Sequence, residues 1–174
     1  MYVSTIRPHI DYCSQLWGPG EGPLLDRLEK LQAYYTRLIP EIRNMPYPER
    51  LKCMKLQSIQ RRFDRYRITY VRKILKGLVP NPGISIRTDH THRLGITVEV
   101  PKINSKLRGD SFMVRGPLTF NAIPKELRDT NSTMETFKKH LDEFLTLVSD
   151  IPRTHGGGSN RLEEQIKNWK WTLR

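Results

Sequence analysis

Six basic side chains fall on one side of residues 58–76 when that segment is wound as a helix at about 100° per residue. The opposite side carries two adjacent apolar stripes, so we expect a helix that packs on two sides at once. The segment holds seven Lys/Arg against the single Asp64, and like charges three or four positions apart repel each other on a helix. The pattern therefore predicts either a solvated basic face or a surface that binds the phosphates of a polyanion. The six residues are Arg61, Arg62, Arg65, Arg72, Lys73 and Lys76.

Residue types that perform catalysis are not grouped in the sequence. Two-metal chemistry needs converging carboxylates, and the chain has no Asp-Asp or Asp-x-Asp pair. There is no Gly-rich phosphate loop, and Ser111 and His140 have no evident triad partner. His90 and His92 have the spacing of two strand ligands, but no cysteine lies near them. The sequence thus indicates no catalytic residue, no metal site and no cofactor.

The positive charge is concentrated in the first half of the chain. The net charge is +12, and residues 1–87 carry 16 Lys/Arg against 7 Asp/Glu. An excess of this kind favours nucleic acid or another anionic surface as the partner, although it can also serve solubility alone. With 174 residues, the chain is long enough for one domain with a hydrophobic core and an appendage.

Several features favour a location inside the cell, in the nucleus or cytoplasm. No apolar run approaches the length that spans a membrane, and Arg7, His9 and Asp11 interrupt any signal-peptide core. Cys13 and Cys53 lie in unlike contexts, which favours two free thiols in a reducing compartment over a disulfide between them. We therefore expect no membrane association.

The first eighty residues predict an antiparallel helical bundle with short loops. A first helix covers 2–17, and Pro8 either marks its first turn or kinks it. A second helix covers 23–39 and carries an apolar heptad seam that we expect to pack against its neighbours. A short helix over 48–56 precedes the basic helix. The seam is formed by Leu24, Leu28, Leu31, Tyr35 and Leu38.

Residues 84–149 predict a small extended or β element followed by a C-terminal helix that packs on the bundle. Alternation at Ile96, Val98 and Val100 indicates a strand, and 108–114 is a second candidate strand. A short helix is expected over 117–123. The spacing from Ser132 to Glu135 is that of a capping box, which would start a helix that runs to 148. The predicted fold class is therefore mainly α.

The end of the chain predicts a flexible linker over 150–159 and an amphipathic tail helix over 160–174. Leu162, Ile166 and Trp169 share one face of that helix. Such a helix either docks back on the domain or binds a protein partner through these three residues.

Three tyrosines could stack on nucleic-acid bases, namely Tyr34, Tyr47 and Tyr66. Tyrosines in this setting are more often half-buried members of the core.

Two stretches resemble a known family. The first is Ile6-Arg-Pro-His-Ile-Asp-Tyr-Cys-Ser-Gln-Leu-Trp17, and the second is Ser111-Phe-Met-Val-Arg-Gly-Pro-Leu-Thr-Phe-Asn-Ala-Ile-Pro124. Both are similar to segments that follow the palm in LINE-type (non-LTR) retrotransposon reverse transcriptases. A Leu-rich helix and a basic helix follow the first segment in that family, and a helix containing Phe-Lys follows the second, as at Phe137-Lys138 here. The similarity covers about residues 2–148, although Phe120 stands where the family more often has Trp.

The resemblance implies the thumb and post-thumb region of a reverse transcriptase. The paired metal-binding aspartates of that family belong to the palm and have no counterpart in this sequence, so we expect no polymerase activity from this chain alone. In the family the thumb helices hold the template–primer duplex. Carried over, Arg61, Arg65, Arg72 and Lys76 would face phosphates, whereas Arg115 matches a motif position of unassigned role that could equally pair with a carboxylate or a helix end.

The sequence therefore favours a non-catalytic nucleic-acid-binding module that holds RNA, DNA or a hybrid through its backbone. The alternative is a captured retroelement fragment that acts as a scaffold or interaction subunit, with the tail helix as its protein contact.

Overall fold

The structure, a computed structural model, describes residues 2–19, 21–88, 96–129, 131–152, 154 and 161–166. The fold is mainly α, as predicted. A π-helical segment, Tyr2–Ile6, leads into the helices and strands, which follow in chain order. They are α1 (Arg7–Asp11), α2 (Ser14–Trp17), α3 (Pro23–Arg37), α4 (Tyr47–Cys53), α5 (Ile59–Leu75), β1 (Ile86–Thr88), β2 (Ile96–Val98), α6 (Lys106–Asp110), α7 (Phe112–Ala122), α8 (Lys125–Asp129), α9 (Met134–Leu147) and α10 (Leu162–Ile166).

Helix α5 lies at the centre of the molecule. Ser58 is its N-cap, and its hydroxyl accepts a hydrogen bond from the backbone NH of Arg61. The carboxylate of Asp150 in turn accepts hydrogen bonds from both the NH and the hydroxyl of Ser58. The apolar residues of α5 divide between two clusters. Ile59 and Phe63 pack with Ile10 and Leu25, and Ile68, Val71 and Ile74 join the main core with α7 and α9.

The first predicted helix is interrupted in the structure. Pro8 lies in the first turn of α1, where its missing NH costs no hydrogen bond. The chain breaks at Tyr12 and Cys13, and Cys13 adopts a left-handed conformation with φ of 50°. This conformation cannot continue a right-handed helix, so α2 begins anew at Ser14.

The prediction that the apolar seam of α3 packs inward is wrong for Leu24, Leu31 and Leu38, whereas Leu28 packs against a core cluster and Tyr35 stacks on Tyr2. Leu24 is 51% exposed and Leu38 is 58% exposed, whereas the face turned inward carries Glu29 and Gln32. Those two polar side chains are buried because each finds hydrogen-bond partners. Glu29 accepts from the Tyr47 hydroxyl at 2.5 Å and from the backbone NH of Ile59 at 2.8 Å. Hydrogen bonding thus decides which face of α3 is buried.

Gln32 extends the same network. Its Oε1 accepts a hydrogen bond from the Tyr2 hydroxyl at 2.8 Å, and its Nε2 donates to the Tyr47 hydroxyl and to the carbonyl of Gln57, each at 3.0 Å. This buried network joins α3 to the start of the chain, to α4 and to the start of α5.

The predicted strands and helices of residues 84–123 were confirmed in part. β2 forms at Ile96–Val98 and pairs antiparallel with β1, with Ile86 opposite Val98. The second candidate strand, 108–114, is wrong, because this stretch is helical in α6 and α7. The Ser105 hydroxyl caps α6 by accepting a hydrogen bond from the NH of Arg108. This cap starts a helix at a place where the apolar pattern alone indicates a strand. Asn121 of α7 closes the free edge of β2 through both the NH and the carbonyl of Val98.

Helix α7 approaches α5 closely at Gly116. A Cβ atom at this position would lie 2.9 Å from the Phe112 ring and 3.2 Å from a methyl group of Val71. The α5–α7 contact therefore depends on the absence of a side chain at Gly116. Helix α9 forms as predicted, with Phe137, Leu141 and Phe144 buried, but its cap is Thr133 rather than Ser132.

The tail segment docks back on the domain. Leu162 is fully buried in the main core, and Ile166 packs against the same core. The prediction that Leu162 and Ile166 form a free partner-binding face is therefore wrong, since the core already occupies those side chains. Trp169 and most of the predicted linker lie outside the described residues.

We expect the buried network around Glu29 to make stability depend on pH. Burial raises the pKa of Glu29 from 4.5 to about 7, and this outweighs the opposing effect of its hydrogen bonds. The folded state then holds a proton that the unfolded chain releases, so this contribution is complete below pH 4.5 and is lost as the pH rises through 7. Relative to Glu29→Gln, the free energy of unfolding of the wild type should fall by on the order of 3 kcal/mol across that window.

Urea denaturation at a series of pH values would measure this difference. Glu49→Gln, which removes an exposed acid from α4, is the matched control and should run parallel to the wild type. A wild-type profile that runs parallel to that of Glu29→Gln would contradict the assignment.

Candidate nucleic-acid interface

Three of the six cations predicted to bind nucleic acid are buried. Arg61, Arg62 and Arg72 are each no more than 2% exposed. The expectation that they form an outward-facing sector, and that Arg61 and Arg72 face phosphates, is therefore wrong. Helix α5 is surrounded by α2, α3, α7 and α9, so its basic side meets protein rather than solvent.

Two of these arginines bind backbone carbonyls of other segments. Arg61 donates through Nη2 to the carbonyl of Ser149 at 2.7 Å and to the side chain of Gln165 in α10. Arg72 donates to the carbonyl of Arg128 at 2.9 Å, and its guanidinium carbon lies 5.1 Å from the centre of the Phe137 ring. Burial lowers the pKa of Arg61, with Asp150 and Asp64 opposing the shift. Both guanidinium groups hold chain segments in place.

Two further arginines outside the predicted set form interior ion pairs. Arg67 donates to Asp64 at 3.0 Å and to the carbonyl of Gly18 at 2.6 Å, and both members of the pair are fully buried. Burial lowers the pKa of Arg67, and the nearby Asp64 opposes this shift. Arg115, the motif residue of unassigned role, pairs with Glu163 of α10 at 2.5 Å. This is the carboxylate pairing that the sequence left open for Arg115.

The remaining three predicted cations reach the surface in part. Arg65 is half-buried and binds both carboxylate oxygens of Asp142, with Nη2 at 2.7 Å from Oδ2. That hydrogen bond raises the pKa of Arg65. Lys73 is half-buried, and Lys76 is exposed and donates to the side chain of Asn131 at 2.8 Å. Lys73 and Lys76 have no ion-pair partner among the described residues.

A polar cavity of about 360 Å³ opens beside α5 and brings together residues from four parts of the chain. Its wall includes Arg7 of α1, Lys55 after α4, Arg62, Arg65 and Tyr66 of α5, and Asp142 of α9. Asp11 lies behind this wall. One of its carboxylate oxygens is 2.9 Å from Nε of Arg62, and the other is 3.3 Å from Nε of Arg7 and accepts from the Tyr66 hydroxyl at 3.0 Å.

The exposed positive charge of the first half lies on α3, on α4 and on the turns that follow them. Six cations there are exposed, and none is ion-paired to another described residue, whereas only two acids, Glu41 and Glu49, are exposed in the same stretch. We call this set of exposed cations the α3–α4 basic face. Its cations are Arg27, Lys30, Arg37, Arg43, Lys52 and Lys55.

The three candidate stacking tyrosines have different environments. Tyr47 is buried in the Glu29 network, and Tyr66 is half-buried against Asp11. Tyr34 is 59% exposed and lies on the outer side of α3 between Lys30 and Arg37. Of the three, Tyr34 alone is placed for stacking on a base.

Comparisons with known proteins add no relative: no family model, curated protein or solved structure matches the chain. Within the described residues, no cluster of three or more His, Cys, Asp or Glu side chains could hold a metal ion, and no helix is long and apolar enough to cross a bilayer. His90 and His92 lie outside the described residues. Cys13 and Cys53 are free thiols.

Sequence reasoning missed the α3–α4 basic face because it assigned the cations of α3 to the margin of a buried seam. The available signal was the spacing of Leu25, Glu29, Gln32 and Thr36, which marks the buried stripe. Polar residues at those positions do not resemble a core stripe unless their hydrogen-bond partners are known.

We expect Arg67→Met to destabilise the protein strongly. The substitution leaves the Asp64 carboxylate buried without its counter-charge, and removal of one partner of a buried ion pair typically costs about 3–5 kcal/mol. The control is Lys76→Met, which removes one exposed charge at the C-terminal end of α5. It should change the free energy of unfolding by about 0.5 kcal/mol or less. Urea denaturation measures both.

The double variant Asp64→Leu/Arg67→Met separates charge from shape in this experiment. It should recover much of the stability lost in Arg67→Met, because no unpaired charge is left inside. Equal losses in Arg67→Met and Lys76→Met would contradict an interior role for Arg67.

Proposed function

We propose that this protein is a non-catalytic nucleic-acid-binding module that holds the sugar-phosphate backbone. The observation that carries the proposal is the α3–α4 basic face, where six exposed cations without ion-pair partners among the described residues oppose two exposed acids. The resemblance to the thumb and post-thumb region of LINE-type reverse transcriptases supports a role in holding a duplex or hybrid.

The proposal assigns backbone contact to a different helix from the one that the sequence favoured. Phosphates bind Lys and Arg side chains that reach solvent, and their affinity comes largely from the release of counterions. Helix α3 meets this requirement with Arg27, Lys30 and Arg37 on its exposed side, whereas most arginines of α5 are engaged inside. Lys76 adds an exposed cation at the end of α5.

Tyr34 supplies the second requirement for binding single strands. A base can stack on an exposed aromatic ring, with neighbouring cations on the flanking phosphates. The Tyr34 ring packs edge-on against Tyr35, with the ring centres 5.5 Å apart, and Tyr35 in turn stacks on Tyr2. These contacts hold Tyr34 in place while leaving most of it exposed.

A second function, as a protein-interaction subunit, is favoured by the exposed leucines of α3. Leu24, Leu31 and Leu38 recur at seven-residue spacing on the outer side of the helix. An acidic amphipathic helix would cover this stripe and offset Arg27, Lys30 and Arg37. A second copy of the same face would instead bring like charges together. The interaction surface proposed here is α3 and not the tail helix.

We expect Arg27→Gln/Lys30→Gln/Arg37→Gln to weaken binding to a short duplex or hybrid. Each lost phosphate contact should reduce the slope of log Kobs against log[salt] by about 1. The matched control is Lys102→Gln/Lys106→Gln/Arg108→Gln, which removes three exposed cations at another site and should leave the slope unchanged. Fluorescence anisotropy between low and moderate salt measures both variants.

Equal weakening in the two triple variants would show that net charge alone attracts nucleic acid. A wild-type Kobs that stays flat with salt would contradict backbone binding. Leu24→Ser/Leu31→Ser/Leu38→Ser keeps all cations and should leave the salt slope intact, while abolishing capture of an acidic amphipathic helix if α3 serves as a protein interface.

A further inference from the structure

The cavity beside α5 has an excess of positive charge within its own wall. Four cations meet there, two of them reaching from outside α5: Arg7 of α1 and Lys55 after α4. The only carboxylates at the cavity among the described residues are Asp142 in the wall and Asp11 behind it. Two positive charges are therefore left without a counter-charge.

The carboxylates are already saturated by their present partners. Both oxygens of Asp142 bind Arg65, and Asp11 is shared by Arg7, Arg62 and the Tyr66 hydroxyl. Neither acid can offset a further cation. The excess of two positive charges therefore consists of the Lys55 ammonium and one charge shared by Arg7 and Arg62. The single negative charge of Asp11 can offset only one of those two arginines.

Arg62 makes this excess costly. Its side chain is buried, and its Nη1 and Nη2 atoms donate no hydrogen bond of ordinary geometry to a described residue. The Tyr2 hydroxyl is nearby, and Arg62 opposes the rise that burial causes in the pKa of Tyr2. Because its nitrogen atoms are out of reach of solvent, Arg62 does not contact an anion in the cavity itself, but its charge, only partly offset by Asp11, adds to the positive potential there.

Lys55 lines the cavity from the turn that follows α4. It is exposed, it has no carboxylate partner among the described residues, and its φ of 52° places it in the left-handed region. A residue with a side chain adopts this conformation at a cost, and asparagine or glycine would adopt it more easily. The ammonium group is thus free to close over a bound anion.

We infer that this cavity binds a phosphate group, with Arg7 and Lys55 as its direct cationic partners and the buried Arg62 adding positive charge behind them. The inference rests on the proposed function in so far as the phosphate belongs to a nucleic-acid backbone, and it extends to a free phosphate or a phosphorylated small molecule. A tetrahedral phosphate accepts hydrogen bonds in several directions, which suits cations that arrive from three separate parts of the chain. The volume of about 360 Å³ lies within the range of small-ligand sites.

The test uses the full chain with two ligands, inorganic phosphate and a short duplex without terminal phosphates, at constant ionic strength. Arg7→Gln/Lys55→Gly removes two cationic partners, and the glycine suits the left-handed backbone at 55. The control, Lys102→Gln/Lys106→Gln, removes two exposed cations that neither line this cavity nor belong to the α3–α4 basic face. Isothermal titration calorimetry should show phosphate affinity reduced by at least about tenfold in the first variant and unchanged in the control.

The two ligands separate the sources of the phosphate. Loss of both phosphate and duplex affinity in the cavity variant assigns the site to the nucleic-acid backbone. Loss of phosphate affinity alone supports the cavity as a site for a small phosphorylated ligand. Phosphate binding by a wild type that binds no duplex would uphold the cavity and overturn the proposed function. Equal phosphate affinity in wild type, cavity variant and control overturns the inference.

Discussion

Burial of guanidinium groups along α5 is the constraint on which the rest of the structure depends. A cation inside a protein is tolerated only when oxygen acceptors replace the water that it has lost. Here the acceptors are the carbonyls of Gly18, Ser149 and Arg128 and the carboxylate of Asp64. Each of these carbonyls lies at or just beyond the end of a helix. The arginine that donates to it therefore also holds the connection between two helices in place.

This arrangement explains how a polar chain builds a stable interior from short helices. Several elements are only four or five residues long and would not be stable alone. α2 is held through Gly18 by Arg67, and α10 is held through Gln165 by Arg61 and through Glu163 by Arg115. The apolar core supplies the driving force, while the arginines determine where the short helices dock.

The sequence predicted helices better than it predicted their environment. The limits of α5 and the presence of α9 followed from local pattern, because capping and apolar periodicity are properties of a few neighbouring residues. The burial of Arg61 and Arg72 could not be read in that way, since their acceptors lie 88 and 56 positions along the chain. The reversed face of α3 has the same origin, because Glu29 and Gln32 are buried only through Tyr47, Tyr2 and the start of α5.

The candidate site was missed for a related reason. On a helical wheel, a row of arginines is interpreted as a solvent-exposed face. Arginine also suits an interior between helices, because it combines a long apolar stem with donors that can bind several carbonyls. Once most of the arginines of α5 are engaged inside, the exposed charge of the first half is that of α3 and α4. The same burial contributes to the excess charge at the cavity, since Arg62 shares Asp11, its ion-pair partner among the described residues, with Arg7.

The residues of the second motif behind the family resemblance, 111–124, serve mainly to pack this interior, whereas Tyr12, Leu16 and Trp17 of the first motif are exposed. Phe112, Val114, Phe120 and Ile123 are buried, Gly116 allows α7 to approach α5, and Arg115 binds Glu163. Such residues constrain the fold, whereas ligand contact requires side chains that reach solvent or a cavity. A likeness carried by interior positions is therefore an argument about architecture. We propose that nucleic-acid binding depends instead on charges on α3, on α4 and in the wall of the cavity, to which the first motif contributes Arg7.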